Sequence, residues 1–437
     1  MKHLLLCTTA TLLMSLSVDA RPILSDSQKS YAAVCLDESE PPDRLIAICE
    51  TALAGISDAN LDTRNLQVAL ARAYDNAGQY ENAKQVAQDV LAQDPAHGGA
   101  LNVLGWAEWA LSDYAAATDA FQKALDSGAS AQSFAGLASS GRYRGDMEEQ
   151  EYLTLIDTAL AISPDYVWAY REKAWFYIDT QRPEEAERIL EHALQYDEED
   201  PWTLYALGVA FYDQGRSGAA NARLNRAIAT GYAPTSAYLY RARANFDLEN
   251  FRRVLIDAER VVQDWPDSSD GYVWKARALS ALGLRPAGQT VLRDFLDASH
   301  DDFAAYWLSD LLYYGGEEAE AMRVLTTVFE QGNPDYYSHE FMAMMLIEAE
   351  DFAAAQTHID GALSFDPTSA YPVFYTALIH LGEGRFDEAE DVFLDALRGG
   401  LPRHRIGYFI GALTERGELE RAVAFRTRAN TVSAAPE

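Results

Sequence analysis

The sequence predicts an all-α fold, a long array of helical hairpins stacked one on the next. Three observations carry that prediction. Prolines recur with a period near 34 residues: Pro95, Pro164, Pro201, Pro234, Pro266, Pro334, Pro367 and Pro402 are separated by 69, 37, 33, 32, 68, 33 and 35 residues. A small-residue series, Ala83, Ala117, Ala186, Ala220, Ala321, Ala355, Ala389 and Ala422, runs in phase at gaps of 34, 69, 34, 101, 34, 34 and 33. Glycines at 78, 145, 215, 283, 316, 384 and 417 keep the same beat. Three residue types sharing one period mark a repeat array rather than a compact catalytic domain.

By length alone, 437 residues would make about two or three ordinary domains. A repeat array is instead one quasi-linear body of any length. Hydrophobic content of 49% and aromatic content of 11% exclude a disordered chain. The net charge of −32, from 35 basic and 67 acidic residues, repels nucleic acid and anionic lipid. Basic proteins, cations and neutral ligands are easier partners. Acidity that serves solubility alone gives the same composition.

Residues 1–20 read as a signal peptide. Lys2 and His3 make a positive start, Leu4 to Leu16 is an apolar run, and Val18-Asp19-Ala20 offers small residues for cleavage before Arg21. The run is too short and too rich in Thr and Ser to span a membrane. Cys7 lies inside it, too early for lipid attachment. The expected location is periplasmic or secreted, with no membrane span.

Residues 21–63 form a lead-in and cap. Residues 21–34 lack periodicity and are expected to be flexible; a polar, Pro-rich turn then leads to a helix around Arg44 to Ala54. Cleavage leaves Cys35 and Cys49 as an even pair, which in an exported protein predicts a disulfide. Closing that loop stabilises the cap by about 3 kcal/mol. Two cysteines without a nearby histidine cannot fill a zinc shell, so no metal is expected there.

From 64 to 430 each unit shows two amphipathic helices joined by a tight turn. In residues 66–95, Leu70, Ala71 and Tyr74 share one face of the first helix. Gly78 ends that helix, where positive φ is needed. Tyr80, Ala83, Ala87 and Val90 make the apolar face of the second, and Pro95 opens the next connection. The small alanine lets two helix backbones approach; a larger side chain would overpack the seam by roughly 1–3 kcal/mol.

These residues resemble the tetratricopeptide repeat family. "GRFDEAEDVFLDAL" (384–397) fits that family's second helix, with Ala389, Phe393 and Ala396 in its small–large–small positions. "PWTLYALGVAFYDQGRSGAANARLNRAI" (201–228), "LNVLGWAEWALSDYAAATDAFQKAL" (101–125) and "PEEAERILEHAL" (183–194) fit likewise. The resemblance implies a right-handed superhelical solenoid of about eleven helical-hairpin repeats, starting near 64, 98, 133, 167, 201, 235, 269, 302, 336, 370 and 403. Val254 and Gly288 depart from the small-alanine position, and Glu108 and Asn245 stand where the family prefers an aromatic. Residues 405–430 put arginines on the last second helix, as suits a C-terminal cap, and 431–437 read as a flexible tail. Residues 398–428 carry seven arginines against three glutamates, which fits either a solvated cap or a surface for an acidic partner.

Catalytic signatures are absent from the sequence: no GxxxxGK[ST] loop, GxSxG elbow, HExxH or CxxC. "HEFMA" (339–343) lacks the second histidine of a zinc helix, and the mature histidines are scattered. No enzyme activity, cofactor or metal is expected. The resemblance implies instead a concave groove lined by first-helix positions. Carried over residue by residue, these hold Trp106, Trp109, Trp168, Arg171, Trp175, Trp202, Tyr205, Tyr212, Arg243, Phe246, Arg277, Phe303, Tyr306, Tyr313, Tyr337, Tyr371 and Phe374. Aromatic rings with interspersed arginines are the composition of binding hot spots. The same rings could also pack against neighbouring second helices; Trp168, Trp175 and Trp202 are the group expected to stay open. The family's lysine–asparagine clamp for C-terminal carboxylates is not recognisable, since Val68 and Arg72 stand where its first pair would be sought.

The expected function is a non-catalytic protein–protein interaction scaffold, holding an extended protein or peptide segment in the groove with arginines selecting acidic groups. The alternative is a polysaccharide-export or glycan-binding adaptor stacking sugars on the same rings. No nucleic-acid partner is expected.

Overall fold

The computed structural model describes residues 26–37, 40–56, 62–128, 130–332 and 334–432. The expected export leader and residues 433–437 of the tail lie outside the described residues. Among the described residues there are 24 helices and no strand, so the fold is all-α.

The helices fall into two compact units, one ending at Gln214 and the other beginning at Gly215. The first holds α1 (Asp26–Asp37), α2 (Pro42–Ala54), α3 (Arg64–Asn76), α4 (Tyr80–Gln93), α5 (Gly98–Ala110), α6 (Tyr114–Ser127), α7 (Ala131–Arg144), α8 (Glu149–Ile162), α9 (Val167–Asp179), α10 (Pro183–Ala193) and α11 (Pro201–Asp213). The second holds α12 (Ser217–Ala229), α13 (Thr235–Asp247), α14 (Phe251–Asp264), α15 (Ser269–Ala281), α16 (Arg285–Leu296), α17 (Asp302–Tyr313), α18 (Glu318–Gln331), α19 (Tyr336–Glu348), α20 (Phe352–Phe365), α21 (Ala370–Gly382), α22 (Phe386–Arg398), α23 (Arg405–Glu415) and α24 (Leu419–Thr431). First helices start where the period puts them, except that α7 and α23 are displaced by two residues from 133 and 403.

The three in-phase residue series have physical counterparts. Every alanine of the periodic series is fully buried, apart from Ala422 at 3% exposure. The seven periodic glycines all take positive φ, between 70° and 84°. In four repeats the same turn position is filled by Ser112, Gln181, Glu249 and Glu350, which hold φ of 66°, 61°, 58° and 58°. The turn geometry is therefore common to all eleven hairpins, while the residue supplying it varies.

Close packing joins one repeat to the next. Phe121 of α6 is fully buried, and its ring occupies notches left by Gly105 of α5 and Gly136 of α7. A Cβ at those positions would lie 2.6 Å and 2.3 Å from the ring. At Gly288 of α16 a Cβ would lie 2.6 Å from the Ala276 carbonyl oxygen of α15. That departure from alanine thus marks a still closer helix approach. Glu108 and Asn245 replace aromatics but keep their polar groups satisfied. Glu108, 6% exposed, pairs with Lys84 Nζ at 3.0 Å. The Asn245 side-chain amide donates to Asn221 Oδ1 at 3.4 Å and accepts from Asn250 Nδ2 at 3.4 Å. A buried polar group left unmatched would cost about 1–3 kcal/mol.

The N-terminal region differs from expectation. Residues 26–37 are helical (α1) rather than flexible, and this helix packs on α2 and α3. Cys35 and Cys49, both fully buried, are disulfide-bonded with Cα atoms 5.0 Å apart, stapling α1 to α2. At the other end the arginines are engaged within the chain. Arg421 Nη1 pairs with Glu390 at 3.0 Å and Asp387 at 2.6 Å, and Arg428 reaches Glu390 at 2.6 Å and Asp391 at 3.0 Å. These pairs belong to a cap and leave less positive charge for an acidic partner.

Candidate functional site

The first helices carry every tryptophan of the first unit and two of the three in the second, and the rings meet across repeats because equivalent helix faces are juxtaposed. In the first unit, Trp106 of α5 lies edge-on to Trp168 of α9 at 4.6 Å between ring centroids, and to Phe121 at 5.0 Å. Trp109 meets Trp106 at 6.1 Å and Tyr143 at 5.4 Å, with Tyr143 stacked on Tyr114. Trp175 packs on Tyr205 at 5.5 Å. Trp168, Trp175 and Trp202 therefore do not form one open group. Trp168 belongs to the Trp106 cluster, and Trp175 to Tyr205. Trp202 stands at the start of α11 with 48% of its surface exposed. Tyr205 is 8% exposed: it packs into the seam rather than lining a groove, because α11 is buried along almost its whole length. Tyr212 is half-buried at the end of α11.

The second unit carries a further ring network. Arg277 of α15 is its centre. The guanidinium carbon lies 4.6 Å from the Phe246 ring centroid (α13), 4.2 Å from Trp274 (α15) and 4.0 Å from Trp307 (α17). Each such contact is worth about 0.5–2 kcal/mol, more as water is excluded. Tyr306 and Tyr313 of α17 both meet Phe341 of α19 at 5.6 Å, and the Tyr313 hydroxyl donates to Glu348. Phe303, Tyr314 and Tyr337 remain exposed around this core. Phe374 is buried, packing edge-on against Phe393 and meeting Tyr408, while Tyr371 lies under Arg405.

Arg171 and Arg243 already hold carboxylates within the chain. Arg171 Nη1 pairs with Asp200 at 2.7 Å, and Asp200 also caps α11 by accepting from the Thr203 amide. Arg243 reaches Asp270 at 3.5 Å and lies 4.8 Å from the Tyr240 ring. The repeat that follows each of these arginines supplies the aspartate at or near its first-helix N-terminus.

Burial bears on two carboxylates of the second unit. Burial pushes Asp310 of α17 up to about 6, although Arg277 and Arg285 pull the other way. Burial also raises Glu340 of α19, against a hydrogen bond from Tyr375 Oη at 3.1 Å and the charge of Arg405. Tyr306 is raised by its own burial, then by the nearby charge of Asp310. Trp274, Trp307, Asp310 and Glu340 escape a reading by family position. The signal is nonetheless present: Trp274 precedes Arg277 by three residues, and Asp310 follows Tyr306 by four, which places each pair on one helical face.

The sequence model for the tetratricopeptide repeat matches residues 68–132, 205–269 and 342–402, and a second model of the same repeat matches 169–200. Together they span more than half of the chain. The chain belongs to the tetratricopeptide repeat family. Among solved structures, this tetratricopeptide repeat chain is similar to the yeast Tom70, at 13% identity and TM-score 0.49, over 92% of this chain and 96% of that one. It is similar to the human IFIT1 dimer with m7Gppp-AAAA, at 14% identity and TM-score 0.49, over 85% and 89%. It is also similar to a tetratricopeptide repeat protein from Parabacteroides merdae, at 16% identity and TM-score 0.41, over 58% and 100%. Likenesses this distant say nothing of what the chain binds. Repeats of this family indicate a protein–protein interaction scaffold, generally a non-catalytic one, with protein or peptide partners. Among the described residues no helix is long and apolar enough to cross a membrane, and no group of three or more His, Cys, Asp or Glu side chains could hold a metal ion.

Proposed function

We propose that this chain is an exported, non-catalytic scaffold that holds an extended partner segment along its first-helix face, in the periplasm or outside the cell. The observation that carries the reading is the ring surface of the second unit, where half-buried Phe246, Trp307, Tyr306 and Tyr313 lie around Arg277 and are backed by the buried rings of Trp274 and Phe341. Rings held by their neighbours lose little freedom on binding, so area buried against them converts efficiently to affinity. The even cysteine pair and the leader-like start support export.

Intrinsic tryptophan fluorescence, titrated with extended peptides and separately with oligosaccharides, tests the reading. Saturable quenching or a blue shift with peptides, lost in Trp307→Ala, is expected. A response to oligosaccharides alone would replace this reading with the glycan-binding one.

A further inference from the structure

The charge of the partner follows from which groove charges are already engaged. Arg171 and Arg243 pair with Asp200 and Asp270, and Arg277 is stacked on three rings. Arg285 donates to the Tyr314 carbonyl. Among the described residues, no hydrogen bond or ion pair reaches the side chain of Asp310. Asp310 lies one helical turn from Tyr306 and one turn from Tyr314, in the middle of the aromatic face of α17. Tyr314 is 59% exposed and Tyr306 half-buried, so the carboxylate has a ring on either side along the helix.

We propose that the second unit takes a cationic partner segment, with a lysine or arginine side chain of that segment bound to Asp310 and its aliphatic stem lying against Tyr306 and Tyr314. This deepens the scaffold reading and rests on it. A carboxylate gives the incoming ammonium or guanidinium a charge-assisted hydrogen bond. The ring faces add attraction to the same cation. Burial disfavours the carboxylate by more than the nearby charges of Arg277 and Arg285 favour it, and a further cationic side chain would relieve that penalty. The field of a chain carrying −32 steers basic segments toward the molecule and acidic ones away. This inverts the expectation that groove arginines select an acidic partner.

The test uses two fluorophore-labelled peptides of equal length and aromatic content, one bearing lysines and one bearing glutamates, measured by fluorescence anisotropy on the full chain. The lysine peptide should bind about ten-fold tighter or more. Asp310→Asn should remove most of that preference. Asp294→Asn, which deletes the same charge from an exposed position on α16, should leave it nearly intact. Asp310→Asn removes a desolvated charge, so its helical circular dichroism and midpoint should be no lower than those of the parent chain. Equal binding of both peptides would overturn the proposal but leave the scaffold reading standing. So would equal losses in the two variants, or tighter binding of the glutamate peptide. Binding of neither peptide would overturn both.

Discussion

The guanidinium carbon of Arg277 lies 4.0 Å from the centroid of the Trp307 ring, one repeat further along the chain. With Phe246 and Trp274 on its other sides, Arg277 joins α13, α15 and α17 through their rings. Lysine cannot reproduce this, because its compact, strongly hydrated charge does not stack. Arg277→Lys should therefore lower stability by about 1–2 kcal/mol, and Arg277→Ala by somewhat more. Urea unfolding followed by indole fluorescence measures both; an unchanged midpoint in Arg277→Lys would mean that the stack contributes no net stability.

Two glycines in helix interiors should respond oppositely to alanine. At Gly288 the added methyl meets the Ala276 carbonyl oxygen at 2.6 Å, and backbone cannot swing aside. Gly288→Ala should destabilise by about 1–3 kcal/mol through overpacking. At Gly411, in α23, a methyl would meet no neighbouring atom within 4 Å, so Gly411→Ala should stabilise by about 0.5–1 kcal/mol through helix propensity alone. Thermal midpoints of the pair decide the matter.

Four turns hold a left-handed residue that carries a side chain. Glu249 at φ 58° and Gln181 at φ 61° bear the Cβ–carbonyl crowding of that region, roughly 1–2 kcal/mol each. Glycine removes the crowding but loses more entropy on folding, by about 0.5–1 kcal/mol. Glu249→Gly and Gln181→Gly should thus each raise stability by about 0.5–1 kcal/mol, read as a higher denaturation midpoint.

Acid should weaken the second unit through one histidine pair. His339 and His358 place their Nδ1 atoms 3.3 Å apart, with the Phe329 ring against both. Burial, then the neighbouring His339, lowers His358 to about 4; burial also lowers His339, which Asp335 partly offsets. In the unfolded chain both imidazoles take up protons near pH 6.5, so between pH 6.5 and about 4 the unfolded state binds more protons. Stability from this pair is fully present above pH 6.5 and falls as pH drops through that window. Asp310, raised to about 6, works the other way there, since the folded state then binds the extra proton. The pair's contribution is isolated by comparing midpoints of the parent chain and His358→Phe at pH 7.5 and 5: the difference between the two proteins should move in favour of the variant at the lower pH.

The repeat is legible in the sequence because its demands are nearly absolute. A helix seam that admits only a methyl selects alanine, as at Ala117 and Ala220, and a left-handed turn selects glycine, as at Gly78 and Gly384. The helix at 26–37 is not legible because "DSQKSYAAVCLD" has weak amphipathic order; its packing partners and the Cys35–Cys49 bond supply what the local pattern lacks. The candidate site is legible by residue type and not by state. Trp106, Phe246, Arg277 and Tyr306 do lie in ring contacts on first helices. That Arg171 is bound by Asp200, 29 residues later, or that Tyr205 is buried, depends on how successive repeats are juxtaposed. No periodicity within one repeat contains that information.

Photo-crosslinking tests the central claim most directly. A lysine-bearing peptide with a benzophenone side chain, irradiated on the full chain and mapped by mass spectrometry, should label α15, α17 and α19, with labelling reduced in Asp310→Asn. Labels confined to the second helices α14, α16 and α18 would contradict the account.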